Sequence, residues 1–133
     1  MPVIEFNDYY SNYPHRFAKL IYFDNRGFTV GSWSDHAKTE ILNFELDANG
    51  QVKGYWTDIE VNYPNVQYIY GYAALAIEST IYLFGGWSDG RDLNRVVLFE
   101  NNKYTDIATI NQKRDGHEVI QIGHLVYNVG GYG

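Results

Sequence analysis

The sequence predicts an all-β chain assembled from repeats, and three observations carry that expectation. First, an apolar run that ends on glycine and opens into a polar loop occurs three times. The copies are Phe28-Thr29-Val30-Gly31-Ser32-Trp33-Ser34-Asp35, Ile81-Tyr82-Leu83-Phe84-Gly85-Gly86-Trp87-Ser88-Asp89-Gly90 and Val126-Tyr127-Asn128-Val129-Gly130-Gly131-Tyr132-Gly133. Gly31 to Gly85 is 54 residues and Gly85 to Gly130 is 45, a period range that marks propellers and solenoids rather than one globular core. Second, 13 Tyr, 7 Phe and 3 Trp stand beside 13 Gly and only 3 Pro, a mixture suited to half-buried pleated strands joined by tight turns. Third, turn signals such as Asp24-Asn25-Arg26 and Asp47-Ala48-Asn49-Gly50 recur at short intervals, as they do in meandering antiparallel sheets.

Composition narrows the function classes. The chain holds no cysteine, which removes disulfides, thiolate zinc sites and thiol catalysis together. Ten Lys and Arg against sixteen Asp and Glu leave a formal charge of −6, and the basic residues are scattered, so no nucleic-acid partner is expected. No apolar run is long enough to span a bilayer, and no membrane partner is expected. The opening Met1-Pro2-Val3-Ile4-Glu5 lacks the basic and apolar regions of a secretory leader. With no Asn-x-Ser/Thr sequon present, the expected setting leans towards the cytoplasm rather than outside the cell.

Taken in order, Ile4-Glu5-Phe6-Asn7 resembles Ile59-Glu60-Val61-Asn62, so residues 1–13 are expected to end a repeat with its last strand. Repeat one occupies 14–67, with strands over 17–23, 27–32, 41–46 and 54–59. Repeat two occupies 68–112, with strands over 71–77, 80–85, 95–100 and 104–107. Trp56-Thr57-Asp58-Ile59 and Tyr104-Thr105-Asp106-Ile107 coincide in chemistry. A partial repeat three, 113–133, contributes strands over 116–122 and 125–130. The expected total is eleven strands: one, four, four and two.

These residues resemble the kelch repeat, a four-stranded β-propeller blade marked by a Gly-Gly doublet after its second strand and an aromatic on each of its third and fourth strands. Gly85, Gly86, Phe99 and Tyr104 match in repeat two. Gly130 and Gly131 match in repeat three, behind an Arg114-Asp115-Gly116-His117 opening similar to the family's. In repeat one Gly31 is followed by Ser32, while Phe44 and Trp56 keep the aromatic pair. The resemblance spans nearly the whole chain and implies an incomplete kelch-type β-propeller of four-stranded antiparallel blades, about two and a half where closed rings hold roughly five to seven.

A blade cannot bury both faces alone, so the partners expected are other polypeptide: self-association or the remainder of a longer chain. The loops after strand two and the links between blades emerge on one rim, gathering Trp33, Asp35, His36, Trp87, Asp89, Arg91, Arg114 and Tyr132, together with Tyr63-Pro64-Asn65. Aromatic and Arg residues at such loops are usual hot-spot types; Trp33 and Trp87 equally suit a gap between blades. The resemblance thus implies non-enzymatic protein binding at the rim. Two alternatives stay open: a structural protein whose incomplete propellers assemble with other chains, and a carbohydrate-binding module using Trp33, Trp87 and Tyr132.

No catalytic group or cofactor is expected. Ser34-Asp35-His36 has the residue types of a hydrolase triad, but three adjacent loop positions cannot align them. His117 and His124 lack a third ligand at fitting spacing, and Asp47 with Asn49 lacks the further carboxylates of a calcium loop. Copper oxidases with similar propellers depend on a Tyr-Cys crosslink, which this chain cannot form. Gly85 and Gly130 are expected to leave no room for a Cβ.

Overall fold

A computed structural model of the chain describes residues 9–133, and the strand expected over 4–7 lies outside them. The described residues form strands and turns without a helix. Repeat one comprises β1 (Ile21–Phe23), β2 (Arg26–Val30), β3 (Thr39–Leu46) and β4 (Val52–Ile59), hydrogen-bonded in the order β1-β2-β3-β4. Repeat two holds β5 (Ala73–Ile77), β6 (Thr80–Phe84), a short hairpin of β7 (Trp87–Ser88) and β8 (Arg91–Asp92), then β9 (Arg95–Glu100) and β10 (Lys103–Thr109). Its sheet runs β5-β6-β9-β10, with the β7-β8 hairpin standing outside it. Repeat three contributes β11 (Glu118–Ile122) and β12 (Leu125–Val129), paired with each other. All pairings are antiparallel. The first strands of the three repeats are neighbours, β5 lying between β1 and β11, so the sheets fan outward from one line as in an incomplete propeller.

The turns follow from residue chemistry. Asp24 and Asn25 both take positive φ (48° and 58°), giving a two-residue connection in which Arg26 already pairs with Phe23. The expected three-residue turn is therefore one residue too long. Asn101 and Asn102 repeat the device between β9 and β10 (51° and 59°). Such turns need left-handed geometry at both central positions, which Asn and Asp tolerate. In the longer β3-β4 loop, Asp47 Oδ1 accepts the N–H groups of Asn49 (2.8 Å) and Gln51 (2.9 Å).

The first strand of each repeat begins later than expected, for a backbone reason. Phe17, Gly71 and Gly116 stand at equivalent positions with φ of 62°, 67° and 65°, which breaks the pleat before the strand starts. Here the repeats are stitched together: Gly71 N–H donates to Phe17 O (3.0 Å), and Gly116 N–H donates to Gly71 O (2.7 Å).

Alternation along the strands places one core between the first two sheets. Phe28, Val30 and Ile41 of the first meet Ile81, Leu83, Val97 and Phe99 of the second. The Phe28 and Phe99 rings lie 4.9 Å apart, as do those of Phe99 and Tyr104, within the range where aromatic pairs add to area burial. The hydroxyls of Tyr72 and Tyr104 that enter this core are satisfied across it, whereas that of Tyr63 is buried with no partner among the described residues. Thr39 Oγ1 bonds to Tyr104 Oη (2.6 Å), and buried Tyr72 donates to Val30 O (2.8 Å) while accepting the Lys19 N–H (3.2 Å). The opposite face of sheet two, with Ala73, Phe84 and Val96, packs on Val119 of β11.

Two sequence expectations change on this register. Gly31 N–H donates to Lys38 O as Gly85 N–H donates to Arg95 O, both at 2.9 Å. Counting from those anchors, Leu42, not Phe44, is the counterpart of Phe99. Leu42 sits opposite Trp56 as Phe99 sits opposite Tyr104; Phe44 lies two residues further along and is exposed. Gly130 is the second change. A Cβ on Gly31 would stand 2.1 Å from Ile69 O, and one on Gly85 2.5 Å from Arg114 O, whereas one on Gly130 meets nothing within 4 Å. The missing space comes from the lead-in of the following repeat, and no described residue follows at that place after Gly130.

All three glycines keep positive φ (80°, 64° and 77°), so alanine is strained at each by about 1–2 kcal/mol. Gly85→Ala adds a backbone collision and is expected to destabilise by about 3 kcal/mol or more, against about 1 kcal/mol for Gly130→Ala. Urea unfolding of both variants checks this, and equal losses would contradict it.

Candidate functional site

The repeats converge at one end of the fan, where each lead-in pairs through its backbone with the residue after its glycine doublet. Trp33 N–H donates to Arg16 O (3.0 Å). Trp87 and Tyr70 exchange two bonds (2.8 and 3.3 Å), and so do Tyr132 and Asp115 (2.8 and 2.9 Å). Three of the expected rim residues, Trp33, Trp87 and Tyr132, therefore occupy one equivalent position. They bring with them Asp115, which the sequence also places at the rim beside Arg114, and two partners that it does not single out, Arg16 and Tyr70.

In repeats one and two Arg16, Phe17, Trp33, Tyr68 and Tyr70 form a continuous cluster in which the first three are exposed and the two tyrosines half-buried, as is Trp87. The Arg16 guanidinium lies over the Trp33 ring at 4.5 Å and near the Phe17 ring at 5.2 Å. Phe17 meets Trp33 edge-on and Tyr70 at a tilt, both at 6.2 Å, and Tyr70 stacks on Tyr68 at 6.3 Å and 14°. Trp33 is 45% and Phe17 60% exposed. Positive φ at Phe17, where the other repeats carry glycine, aims this ring out of the fan. Below the cluster, Phe17, Ala18, Lys19, Gly71, Tyr72 and Gly116 line a cavity of ≈ 240 Å³.

The β7-β8 hairpin returns Asp92 opposite Trp87 and sets its carboxyl beside that of Asp115. Burial, reinforced by Asp92, raises the Asp115 pKa to about 6. Burial and the Asp115 carboxylate likewise push the Tyr70 hydroxyl up. The site thus combines aromatic faces and one guanidinium with a half-buried acid pair.

The remaining expected rim residues divide. Asp35, Asp89 and Arg91 are exposed, and Asp89 and Arg91 form no side-chain hydrogen bond with a described residue. His36 is engaged at both nitrogens: Nδ1 accepts the Lys38 N–H (3.0 Å), so Nε2 donates to Pro14 O (2.6 Å). Arg114 is half-buried and donates to Asn128 O (3.4 Å) and Gly130 O (3.2 Å), which ties it to repeat three. His15 does the same in repeat one, donating to Gly31 O (2.7 Å). Tyr63 is 1% exposed and packs on Tyr104, beneath Arg95, because the link carrying it passes between the sheets. His117 is buried with neither ring nitrogen hydrogen-bonded to a described residue, and burial followed by the Arg114 charge lowers its pKa. Among the described residues no group of three or more His, Asp or Glu gathers at metal-binding distances.

Laying Arg114-Asp115-Gly116-His117 over Ile69-Tyr70-Gly71-Tyr72 and His15-Arg16-Phe17-Ala18 would have found Arg16 and Tyr70. Only the glycine in the third position is shared, and repeat one lacks it, which hides the correspondence.

The raised Asp115 pKa predicts a pH signature. A carboxyl that binds its proton more tightly folded than unfolded, where its pKa is about 3.9, destabilises the fold once ionised. The effect is absent below about pH 4 and complete above about pH 6 to 7. Asp115→Asn is therefore expected to gain thermal stability relative to the parent as pH rises from 4 to 7. Melting curves at pH 4.5 and 7.5 with an unchanged difference would refute this.

No family model matches the chain, and no curated protein matches it. Among solved structures the fold is similar to that of YjhT, with a TM-score of 0.72 at 18% sequence identity over 91% of this chain. The match covers 35% of the YjhT chain, so these 133 residues span about a third of that structure's length. At this identity the likeness establishes the fold alone: the chain is an all-β, incomplete propeller-like array of the kind found in part of YjhT.

Proposed function

We propose that this chain is a kelch-type propeller segment that holds a protein partner, without catalysis, on the rim built by Arg16, Phe17, Trp33, Tyr68 and Tyr70. One observation carries the reading: a mutually packed group of aromatic rings capped by a guanidinium, with Arg16, Phe17 and Trp33 exposed at the end where three repeats meet. Aromatic and Arg side chains dominate binding energy when a partner desolvates them. Here they are also held by one another, so little side-chain freedom remains to be lost on association. The half-buried pair Asp92 and Asp115 supplies polar acceptors beside the apolar faces, the arrangement of an interface centre next to its rim.

The test is selection from a phage-displayed peptide library, followed by titration of the enriched peptides. Arg16→Ala and Trp33→Ala are each expected to weaken binding at least ten-fold, about 1.4 kcal/mol, with an unchanged β-type circular dichroism spectrum. Loss of folding in both variants would assign the cluster to packing. Failure to enrich peptides, with binding on a glycan array instead, would favour the carbohydrate alternative.

A further inference from the structure

The geometry points to a second copy of this chain docking head to tail, its first repeat seated on the exposed face of repeat three as the next blade. This takes up the assembly expected from the strand count and does not depend on the rim reading.

The interface between repeats occurs twice within the chain, so its requirements are known in detail. Each following repeat lays a lead-in carbonyl over the first doublet glycine, Ile69 O over Gly31 and Arg114 O over Gly85. Each also donates the amide of its positive-φ glycine to the repeat before it, Gly71 N–H to Phe17 O and Gly116 N–H to Gly71 O, and repeat three adds Arg114 N–H to Leu93 O. At the array's ends the halves of these contacts are unpaired with described residues. Gly130 has open space where a carbonyl belongs, and Gly116 O accepts no bond from a described residue. At the other end Phe17 N–H donates to no described residue, and the lead-in carbonyl of His15, which accepts the Ala18 N–H (3.2 Å), stands at the position equivalent to Ile69 O and Arg114 O. One end offers the acceptor and the gap; the other offers the donor and the carbonyl that fill them.

The side chains agree. Val119 faces sheet two, so alternation turns Ile120 and Ile122 the other way, with Tyr127 and Leu125 opposite them and Val129, opposite Glu118, on the same face; these five apolar residues are 46–61% exposed. On the outer face of repeat one, Leu20 and Tyr22 stand where Ala74 and Ala76 of repeat two enter the core against repeat one. Together with Leu46 and Val52 they are 60–70% exposed. Two apolar faces of this extent on one small chain are unusual in a free monomer. Because the faces differ, the contact is heterologous, and copies close into a ring where the rotation per copy permits.

Sedimentation velocity at micromolar concentration tests the proposal with the full chain. The parent is expected to sediment as a multiple of its 15.4 kDa mass. Leu20→Arg and Ile120→Arg, each on one exposed face, are expected to yield folded monomers. Mixing the two is expected to restore a one-to-one dimer, since each variant retains the face that the other lacks. Tyr22→Arg and Val129→Arg serve as replacements if either variant misfolds. A monomeric parent overturns the proposal. So does association abolished by only one of the two substitutions, which would indicate a face meeting itself, or a mixture that stays monomeric.

Discussion

The contact on which the array depends is the backbone carbonyl that each repeat presses against the first glycine of the preceding doublet. At 2.1 and 2.5 Å from where a Cβ would stand, it admits no side chain and fixes how closely two sheets approach. The other inter-repeat contacts are consistent with that spacing. Phe28 reaches Phe99, Thr39 reaches Tyr104, and the Tyr72 hydroxyl bonds to two residues of repeat one. A fold held this way is nearly one-dimensional, its stability shared between neighbours rather than gathered into a single core.

The three repeats fill the lead-in position before this contact in different ways. Ile69 is buried and apolar, whereas His15 and Arg114 bond to the carbonyl of their own doublet glycine. His15 does so as part of a larger fastening. Its Nδ1 donates to Gly31 O, and its Nε2 hydrogen-bonds to the fully buried carboxyl of Glu40, 2.5 Å away. Glu40 also accepts the N–H groups of Asn12 and Tyr13. A carboxyl without exposure is tolerable when hydrogen-bonded on this scale, and it clamps residues 12–15 across repeat one. Repeat three lacks such completeness: Arg114 Nε, both His117 nitrogens and Asn128 Oδ1 are buried without partners among the described residues.

Strand order and turn positions were legible because they depend on local chemistry. Alternating apolar residues, paired Asp and Asn, and the doublets each state their role within a few positions. What was missed depends on neighbours. Phe17 adopts a backbone conformation that its identity does not advertise, so the sequence predicts the start of β1 four residues early. Leu42 replaces an aromatic while Phe44 lies two positions away on the same face, and only the register separates them. Tyr63 looked like a loop residue until the link between repeats was found to run through the core. At the rim, Trp33, Trp87 and Tyr132 were visible as loop aromatics, but Arg16, Phe17 and Tyr70 are brought to them by inter-strand pairing that no local pattern encodes.

The two glycines of a doublet answer to different masters. The second is confined by its own repeat, Gly86 by Ile69, Tyr70 and Tyr72, and Gly131 by Asp115 and His117. Repeat one, with His15, Arg16 and Ala18 at those places, accommodates Ser32 and turns through Ser34 instead (φ 64°). The first is confined by whichever repeat comes next. Duplication or reshuffling of blades therefore transfers that constraint with blade order: a repeat moved to an open end is released from it, and one moved inward acquires it. In an evolving array the most restrictive position of a module is set by its neighbour's backbone, whatever side chains that neighbour carries.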